Sequence, residues 1–192
     1  MNWNIKLGIV AVLALVGLIA VGASMMSQVQ SNENTDPSHQ GITYKGHVEI
    51  YKIPADTGIP EKIIDKDNLL VTNGKTYIRT QIGSGSAAAS SSARYMSLSN
   101  DTTAPDASWV DIPAEITTNG FGRAGATYAA NGTGAWNLTY TWTASGEQYV
   151  RLTGLNTGAV ASDGTLFASL AIPEAHMFTN DQLREIWSIS VS

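Results

Sequence analysis

The chain has 192 residues, no cysteine, and a net charge of −5 from 16 acidic against 11 basic side chains. That length suits one domain plus an accessory segment. The lack of cysteine excludes disulfides, thiolate metal sites and cysteine nucleophiles, and the lack of any basic cluster speaks against a nucleic-acid footprint.

Met1–Lys6 carries the chain amine and one lysine, and Leu7–Val21 then runs 15 residues without a charge. Val21-Gly22-Ala23 supplies small residues where a signal peptidase reads. The pattern is that of a secretory signal peptide over residues 1–23, cleaved after Ala23. The same apolar run, drawn from Leu7 to Met26, is also long enough to be kept as a membrane helix. A retained helix would admit a pilin-like subunit. Lys6-Leu7-Gly8 lacks a charge directly before the Gly, however, and Leu13 stands where type IV pilins carry Glu. Residues 24–40 are mostly polar, contain one Pro and show no period, which reads as a flexible arm.

Residues 41–192 read as the folded domain. Ile42, Tyr44, Val48 and Ile50 alternate with Thr43, Lys45, His47 and Glu49, giving a first strand that places His47 on its wet face. Pro54–Gly58 is a turn cluster, and Glu61–Ile64 is the returning arm of a hairpin. Asp65-Lys66-Asp67-Asn68 lacks the Gly and distal Glu of a calcium loop and reads as a polar turn. Leu69 opens a short strand, and Thr72 or Asn73 caps a helix through Lys75–Ile82, with Tyr77, Ile78 and Ile82 on one face. Gly83–Ser92 is low-complexity and reads as a flexible loop.

Arg94–Ser99 is a strand, and Asn100–Asp111 is a long acidic loop containing Trp109. After the Gly-rich turn at Asn131–Gly134 comes the most regular stretch of the chain. There Trp136, Leu138, Tyr140, Trp142 and Ala144 fall on one face, with Asn137, Thr139, Thr141 and Thr143 on the other. Such strict alternation marks a strand with one packed and one wet side. Tyr149–Leu155 follows. Thr165–Ile172 sets Leu166, Ala168, Leu170 and Ile172 against Phe167, Ser169 and Ala171. The last strand sets Trp187, Ile189 and Val191 against Ser188, Ser190 and Ser192. Seven or eight short strands with regular turn signals and one short helix predict a single antiparallel β-sandwich, jelly-roll or immunoglobulin-like, preceded by the N-terminal hydrophobic helix.

The chemistry-bearing residues are sparse. His39, His47 and His176 stand apart in sequence, and no nucleophile elbow or phosphate loop occurs. No catalytic residue, cofactor or metal site is therefore expected. Asp101, Asp106, Asp111 and Glu115 are close enough in sequence to leave calcium binding open. Asn100, Asn131 and Asn137 match the glycosylation acceptor, which is not an excess over what this Asn, Ser and Thr content produces by chance.

The order of segments carries a resemblance. Asn68–Lys75 leads into the helix; Tyr95–Pro105, Glu115 and the Thr-rich strand with Trp142 follow. Leu152-Thr153-Gly154-Leu155-Asn156, Thr165-Leu166-Phe167-Ala168 and the closing strand complete it. Across Ile42–Ser192 this resembles a loose group of virion and tail-associated β-sandwich structural proteins of tailed viruses and their archaeal and bacterial hosts. The resemblance implies a structural role and no catalytic site. Combined with the export signal, the chain is also similar to subunits of extracellular archaeal threads and pili. Those assemble by donor-strand exchange, in which the arm of one copy completes the sheet of the next.

The implied protein is a secreted or cell-surface homopolymer subunit, with a virion surface protein, a monomeric adhesin or the pilin-like subunit as alternatives. The inserted part is expected to be either the arm or Gly41–Ile53. Val29 is the only aliphatic residue between Ser27 and Gln40, which favours the latter.

Overall fold

In the computed structural model, residues 43–83, 92–163 and 165–192 are described. The signal peptide, the retained-helix alternative, the arm, Ile42, His39 and most of the low-complexity loop lie outside them. The described chain folds into ten strands and one helix: β1 (Tyr44–Ile53), β2 (Glu61–Asp67), β3 (Leu69–Leu70), α1 (Thr72–Gly83), β4 (Tyr95–Ser99), β5 (Ala124–Gly125), β6 (Thr127–Ala130), β7 (Ala135–Thr143), β8 (Gln148–Asn156), β9 (Leu166–Met177) and β10 (Gln182–Val191). No helix among the described residues is long and apolar enough to cross a membrane.

The strands make two antiparallel five-stranded sheets. Sheet A runs β2-β1-β10-β7-β6 and sheet B runs β3-β9-β8-β4-β5. Pairing is nested along the chain: β1 pairs with β10, β3 with β9, β4 with β8 and β6 with β7. The two inner faces share one core. Val48, Ile50, Trp142, Leu183 and Trp187 from sheet A meet Met96, Leu98, Val150 and Leu155 from sheet B.

The alternation of β7 is realised as expected. Leu138, Trp142 and Ala144 are buried, Trp136 and Tyr140 pack at the margin, and Thr141 and Thr143 are exposed. The Trp142 Nε1 donates to the Gly122 carbonyl at 2.9 Å, so the buried indole leaves no polar atom unpaired.

Three local expectations are revised. Asp65-Lys66-Asp67 is not a turn but the end of β2, because Asp65 and Asp67 register against Glu49 and His47 of β1. The helix begins at Thr72, and the carbonyl of Val71 accepts its first bond from Lys75 N, so the cap position is Val71. Gly74 lies where that helix crosses β9: a Cβ there would stand 2.1 Å from the Phe167 carbonyl oxygen. Finally, β9 does not have one wet face between Leu166 and Leu170, since every side chain there is buried. Ile112 and Trp109, from the long loop, and Val71 cover the outer side of sheet B and form a second small core with Leu152 and Leu166.

Candidate interaction groove

Strand length is uneven within both sheets: β9 of sheet B has twelve residues and β6 of sheet A has four. β1 and β10 have ten residues each, whereas β4 has five and β3 and β5 have two. At the end where β1 begins and β10 finishes, the inner face of sheet A is faced by Phe167 at the start of β9, by Tyr77 and Ile78 of α1 and by Ala93. The result is an apolar groove of about 490 Å³. Tyr44, Val191, Ile189, Trp136, Leu138 and Tyr128 form its sheet A wall, and Phe167, Tyr77, Ile78 and Ala93 face them. Phe167 holds Tyr44 and Tyr77 edge-on, with ring centroids 5.5 and 5.9 Å away. Tyr128 remains 62% exposed and Val191 38%. Large apolar side chains left open together mark an interaction site more than a scattered exposed residue does.

The described chain starts at the lip of this groove. Thr43 exchanges backbone hydrogen bonds with Ser192, at 2.7 and 3.1 Å, one residue beyond the Tyr44–Val191 pair. The segment expected to be an arm is thus joined to the domain beside the opening. Within Gly41–Ile53, the described strand Tyr44–Ile53 is already paired in its own chain, to β10 on one side and to β2 on the other.

The acidic loop does not gather its carboxylates. Asp101 accepts from the Thr103 amide and Asp106 from the amide and hydroxyl of Ser108, contacts that hold both below the usual carboxylate range. Glu115 turns inward to a two-point ion pair with Arg123, at 2.9 and 2.7 Å. Both of those side chains are only 3% exposed. Arg123 also reaches Asp163 at 3.0 Å and the Gly158 carbonyl at 3.1 Å, fastening the β8–β9 loop. These residues build a structural anchor.

Among the described residues, the carboxylates and imidazole that do converge are His47, Glu49 and Asp65, whose ligand atoms lie within 4.8 Å of one another. His47 bonds Asp65 and Asp67 across the hairpin at 2.7 and 2.9 Å. The bond to Asp67 raises its pKa first of all, against a smaller loss from burial. Lys62 already bridges Glu49 and Asp65, at 2.9 and 2.7 Å, and offsets one of their two charges. Spacing in sequence could not show this group, since it arises from register between β1 and β2. His176 is elsewhere, stacked on Tyr149, with the Phe178 ring tilted at 44° beside it, and bonded to Glu147 at 2.7 Å.

Of the glycosylation candidates, Asn100 and Asn131 are exposed. Asn137 points outward from sheet A as expected, but is half-buried in a shallow polar depression beside Lys45, His47 and Ser188.

Glu185 is an ionisable group set among the apolar side chains of the core. It is fully buried between Leu183 and Trp187, and the Thr153 hydroxyl and Trp187 Nε1 both donate to its Oε1, at 2.5 and 2.6 Å. Burial without a cation pushes its pKa up to about 8, which favours the neutral acid. Alternation along β10 makes this legible, because Leu183, Glu185, Trp187 and Ile189 share one face.

Comparison of the chain with family models, curated proteins and solved structures returned no match.

Proposed function

We propose that the protein is an exported structural subunit that polymerises into an extracellular thread or pilus, by strand complementation between copies. The observation that carries this reading is the apolar groove at the open end of the sandwich, with the N-terminal segment joined at its lip. An extended segment laid beside such an opening gains main-chain hydrogen bonds and buries alternate side chains. Each apolar side chain so buried contributes roughly 1.5–3 kcal/mol before the ordering cost of the arm. The lack of cysteine fits the same reading, since a chain without disulfides gains from stabilisation by neighbours. Within the fold, we read the nested strand pairing as jelly-roll rather than immunoglobulin-like.

Negative-stain microscopy of protein released from the cell surface tests the reading. Thin unbranched filaments of this one chain are expected. Isolated particles at all concentrations would favour a monomeric adhesin, and virions carrying the chain would favour a virus surface protein.

A further inference from the structure

The outer face of sheet A gathers charge at one edge. β2 is an edge strand rich in Asp and Lys, whereas β6 at the opposite edge carries no charge. Register sets His47 opposite Asp67 and Glu49 opposite Asp65. His47 and Glu49 are two residues apart on β1, as Asp65 and Asp67 are on β2, so all four side chains leave the same face. Like charges directly opposite each other, as in Glu49 and Asp65, repel. Lys62 offsets one of them. With a neutral imidazole, three carboxylates against one ammonium leave the group with an excess of negative charge.

The imidazole makes this more than an acidic patch. Both of its ring nitrogens face carboxylate oxygens: Nε2 lies 2.7 Å from Asp65 Oδ1, and Nδ1 lies 2.9 Å from Asp67 Oδ1. A neutral imidazole has one N–H and can donate to only one of them. At the other nitrogen two lone pairs meet, and the contact holds only with a cation between them, either a proton or a metal ion. On its other side His47 faces Ser188 of β10, which brings no charge.

We propose that His47, through Nε2, binds a divalent first-row transition cation together with Asp65 and Glu49. One ligand atom from each of the three lies within 4.8 Å of the others. Asp67, bonded to Nδ1, orients the ring and fixes the tautomer that leaves Nε2 to the metal. The Tyr51 hydroxyl donates to Glu49 Oε2 at 2.9 Å, which leaves Oε1 for the site. One imidazole and two carboxylates suit zinc and its neighbours rather than calcium, which takes oxygen ligands alone. Tetrahedral ligation opens the Nε2–Oδ1 separation to about 3.4 Å, a shift within reach of two partly exposed side chains. Three protein ligands leave one position to water. Lys62 is the competitor, since its exposed ammonium holds the same two carboxylates. The bound ion fastens edge strand β2 to β1 in a chain that has no disulfide, and it does so whether or not the chain polymerises.

Zinc chloride titrated into the full-length exported chain by calorimetry tests the site. A single saturable site is expected, with a rise in melting temperature on adding zinc. His47→Gln loses both. Asp67→Asn weakens binding about 10- to 100-fold, as loss of a ring-orienting carboxylate does. Lys62→Gln strengthens it, a direction that a merely structural lysine bridge does not produce. His39→Gln and His176→Gln leave it unchanged. Circular dichroism of the metal-free variants, matching the parent, shows that each folds. Binding that survives His47→Gln, or displacement of zinc by an equal concentration of calcium, overturns the assignment. No zinc binding by the parent also overturns it, and His47 then meets its carboxylates as an imidazolium alone.

Discussion

Trp142 and Glu185 are two residues of the inter-sheet core with opposite electrostatic character, and each sets a measurable property. Truncating Trp142 to Ala empties a site that is 2% exposed and leaves the Gly122 carbonyl without its donor. A loss of about 3 to 5 kcal/mol is expected in denaturant melts. Thr141→Ala, on the exposed face one residue earlier, is expected to change stability by no more than about 0.5 kcal/mol. Equal losses in the two variants would place the wrong face inside. Glu185 links stability to pH. A carboxyl whose folded pKa lies above its unfolded one favours the folded state while protonated. That contribution is complete below the ordinary carboxylate range and is lost as pH rises through about 8. Thr153 and Trp187 both donate to the same oxygen and moderate this without reversing it. Melting temperature is therefore expected to fall between about pH 5 and pH 9, and more steeply in the parent than in Glu185→Gln, which cannot ionise. His47 adds a decline of the same sign, because its pKa is also raised, but its side chain is 37% exposed and solvent screens the effect. A parent and variant with identical pH profiles would show that Glu185 is not held neutral.

At the scale of elements, the Arg123 anchor decides how the loops over sheet B are held. Removing Glu115 takes the two-point partner from the buried Arg123 guanidinium and leaves Asp163 as its carboxylate partner, so the loss approaches the about 3 to 5 kcal/mol of a broken buried pair. Glu115→Ala is expected to show a loss of that order, with faster amide exchange across residues 157–163. Unchanged exchange there would mean the loop is fastened by other contacts. The same elements show what was legible beforehand. β7 and β10 could be read residue by residue because each has one packed and one wetter side, and alternation records that directly. β9 could not be read that way, since its outer side is covered by Ile112, Trp109 and Val71, which come from distant parts of the chain. Asp65-Lys66-Asp67 has turn-forming composition, and its pairing with β1 overrides that preference. The groove was invisible for a related reason: Tyr44, Tyr128, Phe167 and Val191 lie on four different strands and meet only through tertiary packing. The unequal charge of the sheet edges, in contrast, is written in β2 and β6 themselves.

For the whole molecule, the central claim is that the domain folds by itself and that its arm joins it to a neighbour. β1 is an interior strand of sheet A, so a deletion that stops at residue 40 leaves every described strand in the chain. The most direct measurement is electron microscopy of exported protein lacking residues 24–40, with the signal segment and everything from residue 41 retained. A folded, soluble monomer that forms no filaments, beside a parent that does, is the predicted result. Filaments of unchanged form from the deleted protein would contradict the account.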